Sequence, residues 1–126
     1  MVKANEHEFR SGCPIASTLE LVGDRWTLVL LRDLANGKAR YAQFLDSPER
    51  IASNILTARL KAMEAAGLIK SRLYQRRPKR FEYALTPMGA SLLPVLQEMS
   101  RWGHAHLPQR WRAPDEFMRK KPADLL

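Results

Sequence analysis

The feature that most restricts the fold of this chain is a change in apolar spacing at Gly67. Before it, apolar residues recur every three to four positions, as on one face of a helix. From Leu68 to Leu85 they alternate, as on a strand. After Thr86-Pro87 the helical spacing returns. A chain of helices, one hairpin and a further helix has few ways to bury all its apolar faces together.

The helices can be placed in turn. Pro14 suits a first helical turn, and Ile15, Leu19 and Val22 follow at helical spacing up to Gly23. Asp24 is placed to cap the next segment, "RWTLVLLRDLANG". Its Trp26, Val29, Leu30, Leu31 and Leu34 make the broadest apolar side, so the core is expected to centre there. "KARYAQFLDSPER" predicts a short third helix through Tyr41, Phe44 and Leu45, broken at Asp46-Ser47-Pro48. In "IASNILTARLKAMEAAGLI", Leu56, Leu60 and Met63 share the buried face, while Asn54, Thr57, Ala58 and Lys61 point away.

Residues 68–74 and 80–85 then read as paired strands, with Leu73, Phe81, Tyr83 and Leu85 at alternating positions. Thr86-Pro87 opens a long helix through Leu92, Leu93, Leu96, Met99 and Trp102. Pro94 predicts a kink or a local break in it, and Gly103 a stop or bend. Three divisions are expected: a flexible arm over residues 1–12, a domain over 13–103 and a tail over 104–126. Trp111 and Phe117 are the residues of that tail equipped to dock.

Charge is distributed unevenly over this frame. The net charge of +8 comes largely from residues 59–80, where Arg59, Lys61, Lys70, Arg72, Arg76, Arg77, Lys79 and Arg80 face Glu64 alone. Four of these cations surround Pro78 at the hairpin tip, where they repel one another. A solvated charged face is one reading. The other is a polyanionic partner, whose phosphates would neutralise the tip and release condensed counterions. Helices followed by a hairpin form the order of a winged helix-turn-helix, a mainly α fold with a small β-hairpin. In that fold the fourth helix lies in a DNA major groove and the hairpin tip lies beside the duplex.

Other classes fit less well. Cys13 is the only cysteine, so an intrachain disulfide and a cysteine-based zinc site are both excluded. The pair His104-x-His106 reads as a polar helix end, and no metal or cofactor is expected. No acid or histidine lies near Cys13 in a catalytic pattern, so the chain is not expected to be an enzyme. "WTLVLL" is too short to span a membrane, and "MVKANEHEFR" lacks the apolar region of a secretory signal. A cytoplasmic protein is the expectation.

Three segments, "CPIASTLELVGDRWTLVLLRDLANG", "RLKAMEAAGLIKSRLY" and "RFEYALTPMGASLLPVLQEMSRWG", resemble the HxlR-type bacterial transcription regulators, which are related to the MarR group. The resemblance runs from Cys13 to about Gly103. It implies a homodimer, built by the N-terminal and C-terminal helices, that binds a pseudo-palindromic operator on double-stranded DNA and acts as a repressor. Two recognition helices would then meet successive major grooves. The chain departs from the family pattern at Ala52, where a capping Ser or Thr is usual. Ala52 cannot cap, so either Ser53 takes over or the helix end frays. The loop "DSPER" also lacks the usual glycine.

On this reading Ser53, Asn54, Thr57, Ala58 and Lys61 are the candidates for base contact: Asn54 suits adenine, and Ala58 or the Thr57 methyl suits thymine. Arg76, Arg77, Lys79 and Arg80 of the wing are the candidates for phosphate or minor-groove contact. Arg40 and Tyr41 are candidates for backbone contact at the third helix, Tyr41 serving equally well as core. Arg59, at the edge of the buried side, suits a phosphate or an ion pair. In some relatives a cysteine at the position of Cys13 responds to oxidants or electrophiles by modification or an intersubunit disulfide. The other reading of Cys13 is a small packed side chain. Any small-molecule or redox effector is expected to act near the dimer interface or on Cys13. The competing function is a winged-helix module that binds RNA or an acidic protein.

Overall fold

The computed structural model describes residues 7–126. The expected arm of residues 1–12 therefore lies outside the described residues over its first six positions. From His7 the chain is tied to the first helix: the His7 ring and the Arg10 guanidinium both lie 3.1 Å from the Glu20 carboxylate. The His7 hydrogen bond leads the effects that hold this carboxyl below its ordinary range.

Four helices come first: α1 (Pro14–Val22), α2 (Thr27–Ala35), α3 (Tyr41–Leu45) and α4 (Ser53–Ala65). Asp24 caps α2 as expected. Its carboxylate accepts the amides of Trp26 and Thr27 at 2.9 and 3.0 Å. Helix α2 is the centre of the core, with Leu30, Leu31 and Leu34 buried among Phe44, Ile51, Leu56, Leu60 and Met63. The chain leaves α4 through Gly67, whose φ of +83° is a left-handed conformation that other residues adopt at a cost.

Strands β1 (Ile69–Arg76) and β2 (Lys79–Leu85) then pair antiparallel. Ile69 faces Leu85, Ser71 faces Tyr83 and Leu73 faces Phe81, with an irregularity between Leu73 and Gln75. The alternation holds, but it serves two environments. Ile69 and Leu85 are buried in the core, whereas Leu73 and Phe81 stand exposed farther out on the hairpin.

The predicted break near Pro94 is present. Helix α5 (Pro87–Ala90) ends after one turn, and α6 (Leu93–His106) restarts with Pro94 in its first turn, where its missing N–H costs nothing. Thr86 caps α5 by accepting the Gly89 amide at 3.1 Å. Gly89 has no room for a side chain, since a Cβ there would lie 2.0 Å from the Leu68 carbonyl oxygen. Gly103 does not stop the last helix; α6 passes through it to His106. A glycine is a weak terminator when its neighbours still satisfy the helical hydrogen bonds, and Leu107 N still bonds to Gly103 O.

The C-terminal residues carry structure of their own, a short α7 (Asp115–Arg119) and a 3-10 turn (Pro122–Leu125). Phe117 is buried against Ala35 and Leu93, while Trp111 remains 80% exposed. The buried Gln97 amide donates to the carbonyls of Phe117, Met118 and Lys120 at 3.1, 3.4 and 2.9 Å. The Lys120 ammonium donates to Ala35 O at 3.1 Å, at the end of α2. No helix among the described residues is long and apolar enough to cross a membrane.

Candidate nucleic-acid interface

Helix α4 buries Leu56, Leu60 and Met63 and leaves Ser53, Asn54, Thr57, Ala58 and Lys61 exposed. The five base-contact candidates therefore share the solvent side of one helix. Ile55 is also exposed on this surface; its apolar character hid it from a search for polar base readers.

The start of α4 settles the question of its cap. Ala52 is the capping residue, and no side chain bonds to the first-turn amides, Ser53 included. These N–H groups stay open at the positive end of the helix dipole, an arrangement suited to a phosphate oxygen. Support comes from α3. The Tyr41 hydroxyl donates to Ser53 O at 2.8 Å and lies 3.0 Å from Thr57 Oγ1. The Thr57 hydroxyl also donates to Ser53 O at 3.0 Å. Tyr41 thus positions α4, and Thr57 directs its hydroxyl inward.

The remaining cations divide into two groups. Arg59 lies 3.7 Å from Asp24, which makes it a partner of the α2 cap. Burial pushes the Asp24 carboxyl up, but hydrogen bonds from Thr27 and Trp26 and the charge of Arg59 outweigh it and lower it overall. The Arg40 guanidinium sits 3.9 Å from the Tyr74 ring centroid and 3.7 Å from Glu82. Arg72 also pairs with Glu82, and Arg32 bridges Asp33 and Glu49 at 2.8 and 2.7 Å. Arg40 therefore joins α3 to the hairpin, with its own charge partly offset.

Arg76, Arg77, Lys79 and Arg80 behave differently. All four are exposed, and among the described residues none has an acid within salt-bridge distance. Gln75 supports the tip they occupy, its amide donating to Arg77 O at 3.4 Å and Pro78 O at 3.1 Å. Sequence reasoning missed this role because a lone glutamine in a strand carries no signal. It also missed Arg50, exposed just before α4 at a φ of +57°. A non-glycine residue in that region is uncommon and marks a tightly determined turn.

Cys13 is exposed and stands at the N-cap position of α1, its amide bonded to the Ser11 hydroxyl at 3.2 Å. The packed reading of Cys13 is thereby overturned, because α1 begins at the domain surface. His104 Nδ1 lies 3.1 Å from Arg110 O, and His106 packs against Trp102. Among the described residues no cluster of His, Cys, Asp or Glu is arranged to hold a metal ion.

Residues 21–111, from the end of α1 through most of the chain that follows, match the HxlR-like helix-turn-helix model. The chain belongs to the HxlR-like helix-turn-helix family. Among its HxlR-like relatives is the HTH-type transcriptional regulator YybR of Bacillus subtilis, 32% identical over 104 residues, covering 82% of this chain and 83% of YybR. YdeP of the same organism, also named an HTH-type transcriptional regulator, is 36% identical over 95 residues, covering 75% and 74%. Among solved structures, the redox regulator HypR in its reduced form superposes with a TM-score of 0.70 at 30% identity, over 76% of this chain and 95% of HypR. The fold is that of the winged-helix regulators.

Proposed function

We propose that this HxlR-type transcription regulator binds double-stranded DNA as a homodimer and represses transcription from a pseudo-palindromic operator. The observation that carries the reading is the contrast in charge pairing. Arg32, Arg40, Arg59 and Arg72 have acid partners, whereas the four cations clustered at the wing tip have none among the described residues. Like charges held together without partners are unfavourable in the free protein and become favourable on a row of phosphates. In this reading Asn54, Ala58, Lys61 and the Thr57 methyl meet base edges, and Ser53 with the open amides of α4 meets a phosphate.

Dimerisation is supported by the outer helices. Ile15 and Leu19 of α1, and Val95, Met99 and Trp102 of α6, are all exposed in the single chain. Large apolar side chains left in water on two helices are characteristic of a protein–protein surface. Pairing two copies would set the two α4 helices about 34 Å apart along one face of a duplex.

Cys13 is proposed as a redox-responsive thiol. It is exposed at a helix start, and HypR, a redox regulator, is among the structural relatives. Oxidation to a sulfenic acid, or to a disulfide with a second thiol, at this position would alter the helix that helps to form the dimer.

The reading is tested by selecting bound fragments from sheared genomic DNA and measuring affinity against salt. Recovery of a palindromic site, bound far more tightly than random duplex and by two chains, is expected. A monomer indifferent to duplex DNA at low salt would refute it. Replacing Cys13 with Ser should abolish oxidant-driven release; unchanged release would remove the thiol from the mechanism. A reporter driven by the recovered site decides the sign of regulation.

A further inference from the structure

A cavity of about 520 Å3 lies between α2, α6 and the segment that follows α6. Phe117, buried, forms its floor, and Leu28, Val29 and Leu96 form its apolar walls. Trp111 and Met99 stand at its rim. The family match ends at residue 111, so Arg112, Ala113, Pro114 and Phe117 on one side of the cavity lie beyond what the family model describes.

We propose that this cavity is a binding site for a small, flat, mainly apolar molecule that carries a hydrogen-bond-accepting oxygen. Three observations support that class of ligand. The volume falls in the range of small-molecule sites, and the lining is aliphatic and aromatic with few polar groups. The Asn36 amide N–H, the Ser100 hydroxyl and the Arg112 guanidinium can each donate a hydrogen bond, and the Asn36 and Ser100 oxygens can also accept one. Neither the Asn36 nor the Ser100 side chain has a hydrogen-bond partner among the described residues, and Arg112 uses one nitrogen on Asp115.

The charge balance argues for a neutral ligand. Arg32, the other cation of the lining, already bridges Asp33 and Glu49, and Arg112 faces Asp115. No uncompensated positive charge awaits a carboxylate there. The wall is also held in place. Gln97 bonds to three carbonyls of the C-terminal segment, and Lys120 ties that segment to the end of α2. A cavity whose far wall is fastened on two sides persists without a ligand. The proposal concerns binding to the chain itself and does not depend on the DNA reading.

The test is an NMR titration of the full-length protein with 1-naphthol and with 4-hydroxybiphenyl. At least one probe should bind saturably, one per chain, and shift the signals of Ser100, the Trp111 indole N–H and Phe117. Filling the cavity with Ser100→Trp should remove this binding. Trp111→Ala, at an exposed position that leaves the core intact, should weaken it at least fivefold. A lack of saturable binding by either probe would overturn the proposal. So would shifts confined to Val95 and Trp102, or binding that neither variant changes. Probe affinity that falls as protein concentration rises would assign the cavity to a second copy of the chain instead.

Discussion

The Tyr41 hydroxyl donates to the Ser53 carbonyl at 2.8 Å and so fastens the first turn of α4 to α3. This bond stands where a capping side chain is absent, since Ala52 offers none. It makes the angle at which α4 leaves the domain depend on a residue twelve positions earlier.

Tyr41→Phe should therefore loosen the start of α4. A lost hydrogen bond of this kind is worth about 1 kcal/mol, read as a lower midpoint in urea denaturation. Hydrogen exchange at the first bonded amides of α4, from Leu56 N onward, should quicken. Exchange unchanged from the parent would mean that Tyr41 acts only through its ring.

The wing and the recognition helix should fail in different ways. Arg76→Ala with Arg77→Ala should weaken binding to every duplex alike and reduce the slope of log affinity against log salt by roughly two per subunit, or about four for the dimer. Filter binding across a salt series reads both quantities.

Asn54→Ala should instead cost about 1–3 kcal/mol on the recovered site and almost nothing on random duplex. A loss that is uniform across sequences would place Asn54 on the backbone rather than on a base.

Acid stability should trace partly to Asp24. Its carboxyl is lowered in the folded chain, so the stabilisation it provides is present above the unfolded value of roughly 3.9 and is lost as pH falls through the lower folded value. Asp24→Asn keeps a capping side chain and removes that titration. The variant should be modestly less stable than the parent near neutral pH, where the charged carboxylate contributes, and the gap should narrow between about pH 5 and pH 2. Thermal melts across that range make the comparison.

Phe117→Ala should release the C-terminal segment. Emptying a buried aromatic site costs roughly 3 kcal/mol, and the segment after Pro114 should become sensitive to limited proteolysis. An unchanged digestion pattern would show that Gln97 and Lys120 hold the segment without it.

Much of this protein could be read from local pattern. The helix order, the Asp24 cap, the buried face of α4, the hairpin and the break before Pro94 all rest on spacing or on backbone chemistry within a few residues. Such features survive in any packing, because the chain carries the cause and the effect side by side. The exposed side of α4 was legible for the same reason: it is what remains once the apolar face is assigned.

What the tertiary structure alone decided are the partnerships between distant residues. Arg59 met Asp24 across thirty-five positions and Arg40 met Tyr74 and Glu82, while Arg76, Arg77, Lys79 and Arg80 met no acid among the described residues. Nothing in the sequence separates a paired arginine from an unpaired one, since a charge interaction depends on distance through space. The docked Phe117, the Gln97 bonds and the cavity they help to enclose have the same origin. A single buried ring and a single amide leave no periodic trace, and their value arises only when separate elements close around them.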